Sequence, residues 1–97
     1  MRDDNDYAGM SKEDLRTHLT ATSKQLAAWQ FALGNAKKQQ ARSFIEAYAS
    51  SRGKSVSERS REGEMASVGD QGEVYEAEGR VAFHATIRDL IVTLLHA

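Results

Sequence analysis

His18, His84 and His96 are the side chains best suited to metal ligation or proton transfer, and they lie far apart in the chain. No His-x-x-x-His or Glu-x-x-His spacing sets two ligands on one helical face, and a metal site needs converging ligands with support behind them. His84 falls within an apolar stripe, where a packed or hydrogen-bonded core histidine is expected. His96 stands at a helix end, where a cation is favoured. Cysteine is absent, so thiolate chemistry, thiolate ligation and disulfides are all excluded. There is no Gly-x-Ser-x-Gly elbow and no serine paired with a histidine and an acid. Gly69 and Gly72 are not followed by Lys-Ser or Lys-Thr, as a phosphate loop requires. The carboxylates fall on polar helix faces, where solvation is expected in place of acid–base work. These residues point away from an enzyme and call for no cofactor and no metal.

One grouping does carry chemistry. Lys37, Lys38, Arg42, Arg52, Lys54, Arg59 and Arg61 gather in the middle of the chain, against Glu46 and Glu58. A hairpin turning there brings them to one end, where basic side chains could hold phosphates. Nucleic acid is therefore a candidate partner; the plainer reading is a solvated helix end with cations near its C-terminus. Phe44 and Tyr48 are the nearby aromatics, which gives little support to binding through stacked bases.

These groups must be positioned by a chain of 97 residues, which is one domain's length. Net charge is −1, so bulk charge argues for neither nucleic acid nor a membrane. Proline is absent, and long unbroken helices are permitted. No segment is apolar and long enough to span a bilayer. The opening Met1-Arg2-Asp3-Asp4-Asn5-Asp6 lacks the basic-then-apolar order of a signal peptide, so a cytoplasmic location is expected.

Apolar residues recur at helical spacing in two long stretches. The first is Leu15, Leu19, Thr22, Leu26, Trp29, Leu33 and Ala36; the second is Val74, Ala77, Val81, His84, Ile87, Ile91 and Leu94 or Leu95. Residues 1–10, acidic and without period, are expected to be a flexible tail, and 11–97 a single helical domain. Ser11 caps the first helix, with Glu13 and Asp14 facing the positive end of its dipole. The helix is expected to continue through Gly34, with a bend or a close approach there, because Ala36, Ala41, Phe44, Ile45 and Tyr48 prolong an apolar face. The stripe drifts through Gln40 and Phe44 in four-residue steps.

Gly53 suits a left-handed cap after Ser50. Ser55 and Glu58 then have capping-box spacing and open a polar helix over 56–68, anchored by Val56, Met65 and Val68. Asp70 can cap a last helix running to about His96. Tyr75, Phe83 and Val92 widen its apolar face, which suggests burial against more than one helix. If 56–68 is a separate tip helix, the last helix slides and Leu15 loses its partner; if it continues into the last helix, Leu15 lies near Leu90. Residues 11–49 carry six basic against three acidic side chains, and 65–97 two against five, which favours pairing the two long helices.

The fold class is therefore all-α: an antiparallel long helical hairpin with a short polar helix at the tip. Two helices leave apolar surface uncovered, so self-association or another protein partner is expected. Leu15, Leu19, Leu26, Trp29, Phe31 and Leu33 on the first helix are the candidate contacts, with Phe83, Ile87, Ile91 and Leu94 on the last. Phe31 lies off the stripe, where either a second contact surface or simple packing in an oligomer is expected.

Phe44-Ile45-Glu46-Ala47-Tyr48, followed by Gly53-Lys54-Ser55-Val56-Ser57-Glu58-Arg59, resembles a segment of small helical proteins encoded by tailed bacteriophages, notably those of actinobacteria. The likeness covers most of 12–97. It implies accessory work through binding, in replication, recombination or host takeover, with no catalytic residues to carry over. The chain is also similar in length, layout and lack of cysteine to the helical-hairpin substrates of type VII secretion. It departs from their signature: Trp29-Gln30-Phe31 lies inside a helix, where those proteins carry Trp-x-Gly in the turn, and Tyr75 is followed four residues later by Gly79 in place of an acid.

Overall fold

The computed structural model describes residues 9–97, which hold three helices: α1, Lys12–Ser50; α2, Val56–Val68; and α3, Gln71–Leu95. The fold is all-α, with two long helices in contact and a short one between them. The expected tail lies outside the described residues except for Gly9 and Met10, and Met10 packs against the helical core. The chain divides into two compact units, one ending at Gln30 on α1 and resuming at Gly79 on α3, the other being Phe31–Glu78.

In the first unit the Ser11 hydroxyl accepts from the Asp14 amide at 3.1 Å, the cap that the sequence calls for. Leu15 and Ile91 form the buried pair, Ile91 with no exposure at all. Leu19, Ile87, Leu90, Leu94 and Leu95 pack around them. Burying one such side chain stabilises by about 1.5–3 kcal/mol. Further along, the Arg80 guanidinium lies 5.5 Å from the Trp29 ring centroid. Residue 15 thus meets 91 and residue 29 meets 80, so α1 and α3 run antiparallel.

In the second unit α1 reaches Ser50 without interruption. Gly53 takes a φ of 88°, the left-handed turn that only glycine adopts without strain. Ser55 then caps α2, its hydroxyl accepting from the Glu58 amide at 3.2 Å. α2 lies back along α1: Arg59 reaches Tyr48, and Gly63 meets Phe44. Gly69 is right-handed, at φ −61° and ψ −26°, so the chain enters α3 without reversing. The Asp70 carboxylate turns to α1, where Ser43 Oγ donates to it at 2.6 Å.

Both predicted stripes are buried or half-buried at every position, and the drift through Gln40 and Phe44 is present. Several finer expectations are corrected. α2 is a separate helix, yet Leu15 keeps its partners on α3, because only Gly69 and Asp70 intervene between α2 and α3. Val56, Met65 and Val68 do not anchor α2 and are exposed; α2 docks through Gly63. Tyr75, Phe83 and Val92 do not widen the buried face. Ala41 and Ile45 point away from the core, and a Cβ at Gly34 would meet nothing within 4 Å, so no close approach occurs there within the chain.

Candidate interaction surface

Burial sorts the expected contact residues into two sets. Leu15, Leu26 and Ile91 are buried, and Leu19, Trp29, Leu33, Ile87 and Leu94 are half-buried, all on the seams between helices. Phe31 and Phe83 are exposed, Phe31 at 73 %. Phe83 has its ring edge-on to His84, with centroids 5.3 Å apart.

Within Phe31–Glu78, helical spacing turns Phe31, Gly34, Lys38, Ala41 and Ile45 to one outer face of α1, and all five are exposed. Their steps of three and four residues match those of the buried stripe, displaced around the helix. Phe31 lies off the sequence stripe, and Ile45, expected to prolong an apolar face with Phe44, falls on this outer face as well. The signal that separates the two faces is the alternate stripe itself, visible once Phe31 is taken as its origin. The outer side of α2 and the start of α3 carries a matching set, Met65, Val68 and Tyr75, each at least 60 % exposed. Tyr75 Oη accepts from Gln71 Nε2 at 2.7 Å.

The seven basic residues all belong to this unit. Lys37, Lys38, Arg42, Arg52 and Arg61 are exposed. Lys54 is ion-paired with Glu62, and its pKa is raised above the ordinary lysine value, first by that hydrogen bond and then by the charges of Glu62 and Glu58. Arg59 is committed to the fold. Its Nε and Nη2 donate to the Tyr48 carbonyl at 3.1 and 2.9 Å, and its guanidinium lies 4.1 Å over the Tyr48 ring. Ser51, buried, donates to the same carbonyl from Oγ at 2.9 Å. This knot adds side-chain donors to a carbonyl at the end of α1 that also accepts from the Ser51 amide at 3.4 Å, and it sets a cation at the negative end of the dipole. Phe44 is likewise occupied, stacked toward Tyr48 with centroids at 6.1 Å and pressed on Gly63. A Cβ on Gly63 would stand 2.7 Å from two Phe44 ring carbons. Sequence reasoning missed both roles; a glycine inside a polar helix was the available hint for the second.

Among the described residues no three His, Asp or Glu side chains converge as a metal site, and no helix is long and apolar enough to cross a membrane. His18 and His84 are half-buried, and His96 is exposed at the end of α3. No family model matches this chain, and neither a curated protein nor a solved structure matches it.

Proposed function

We propose that this is a non-enzymatic helical interaction protein that binds another protein through the outer face of α1. The observation that carries the reading is Phe31 and Ile45, exposed at 73 % and 63 % on a face separate from the core. They stand about 21 Å apart along the helix, with Gly34, Lys38 and Ala41 between them, and an exposed large apolar side chain on such a face is a candidate contact anchor. Encoding by a tailed bacteriophage, with a host or phage protein as partner, is the setting that the resemblance of residues 44–59 supports. The test is affinity capture from a host lysate with wild type and with Phe31→Ser plus Ile45→Ser. A partner held by wild type and lost by the variant supports the reading; a partner held equally by both contradicts it.

A second reading, a nucleic-acid accessory factor, is favoured by the six exposed basic residues of one unit, five of them outside the Lys54–Glu62 ion pair. The occupied Tyr48 and Phe44 rings weigh against base stacking, which leaves phosphate contact as the mode. Lys38→Ala with Arg61→Ala then lowers affinity for duplex DNA and flattens its salt dependence. No binding at low salt, or no change on substitution, removes this reading.

A further inference from the structure

The unit Phe31–Glu78 is divided by charge along the line that divides its helices. Residues 31–54, α1 and its turn, carry five basic side chains and one acidic one. Residues 55–78, α2 and the start of α3, carry two basic and seven acidic ones. The buried seam between the two sides is apolar or small: Ala36, Gly63, Val74 and Ala77. Lys54, Glu62, Arg59 and Asp70 are engaged within the chain. That leaves Lys37, Lys38, Arg42 and Arg52 exposed against Glu46 on one side, and Glu58, Glu64, Glu73, Glu76 and Glu78 exposed against Arg61 on the other. Each side includes large exposed apolar side chains. On the basic side these are Phe31 and Ile45; on the acidic side they are Met65, Val68 and Tyr75.

Both outer faces also hold a helical glycine with open space around it, Gly34 on α1 and Gly72 on α3. Glycine inside a helix lowers its stability, and here no contact within the chain requires it. A backbone left bare on an apolar face allows another helix to come close.

Building on the interaction-protein reading, we propose that the partner is a second copy of this chain, docked with its acidic α2–α3 face on the basic α1 face of the first. The two faces differ in sign and match in kind, so the contact is heterologous: each copy offers one face to the neighbour on either side. A two-fold contact of α1 with α1 would set Lys38 and Arg42 against the same charges, which disfavours it.

Sedimentation velocity on the full chain with charge-reversed variants tests the proposal. One variant carries Lys38→Glu with Arg42→Glu, the other Glu73→Lys with Glu76→Lys; all four side chains are exposed, and circular dichroism verifies that the helices persist. Wild type is expected to associate with rising concentration and to dissociate with rising salt. Each variant alone is expected to weaken association by at least about tenfold, and an equimolar mixture to restore it, because reversed faces match each other. Should a reversed variant lose helix, Phe31→Ser and Tyr75→Ser provide the same reading, since each removes one face alone and each is expected to weaken association. A monomeric wild type, variants that associate unchanged, or a mixture that fails to recover would overturn the proposal. A monomer that still captures a protein through Phe31 would sink this inference and leave the interaction reading standing.

Discussion

Arg59 does for α1 what a C-terminal cap residue would do, from eleven positions further along the chain. It is bidentate on the Tyr48 carbonyl and stacked on the Tyr48 ring, so both hydrogen bonding and cation–π attraction are lost on truncation. We expect Arg59→Ala to destabilise by about 1–2 kcal/mol in urea unfolding, and Arg59→Lys to recover little of it, because an ammonium lacks the planar fork. Arg61→Ala, at an exposed position, is expected to stay within about 0.5 kcal/mol. Gly63 and Gly79 should respond with opposite signs. Alanine at Gly63 drives a methyl into the Phe44 ring, an overpacking penalty of about 1–3 kcal/mol that exceeds the gain in helix propensity. Alanine at Gly79 meets nothing and should stabilise by about 1 kcal/mol. Thermal melts of the two variants check this pair. The exposed Lys54–Glu62 pair is a different case. The folded-state pKa of Lys54 is raised, so its contribution is complete at neutral pH and is lost only as pH climbs through that raised value. Lys54→Met should show a small loss at low salt that disappears at molar salt.

At the scale of elements, the apolar stripes alone determined which faces of α1 and α3 meet. Every stripe position is covered, and the caps at Ser11, Gly53 and Ser55 fall where hydroxyl and glycine chemistry put them. α2 was legible as a helix and illegible as a packed element. Its apolar residues are exposed, and its docking depends on an absent side chain at Gly63 and a cation at Arg59, neither of which a hydrophobic pattern reports. The register of α3 depended on the backbone angles of Gly69, which sequence does not encode for a residue so permissive. Charge was a weaker guide than it looked: the ion pairs Lys54–Glu62 and Arg88–Asp89 do not join α1 to α3, and the antiparallel order follows the apolar seam. Ile91→Ala should therefore cost about 2–5 kcal/mol, since it empties a fully buried side chain position of the seam. Ser55→Ala should cost about 1 kcal/mol by freeing the Glu58 amide. Urea titrations of both variants test whether packing or capping dominates.

For the whole molecule, Phe31 shows how far composition and pattern reach. Its place outside the core stripe was recognisable, and it is exposed in the fold. Its neighbours on that face, Gly34, Lys38 and Ile45, become legible only when Phe31 is taken as the origin of a second stripe, because two stripes offset on one helix share the same three-and-four spacing. Cover of this outer face by protein is the proposal on which the functional reading rests. Multi-angle light scattering of wild type against Phe31→Ser plus Ile45→Ser tests it most directly, with helicity verified for both. A wild-type mass above the 10.7 kDa of one chain is expected, falling to that value in the variant without loss of helix. A wild type that stays at 10.7 kDa across the concentration range, and that captures no protein through these two side chains, would contradict it.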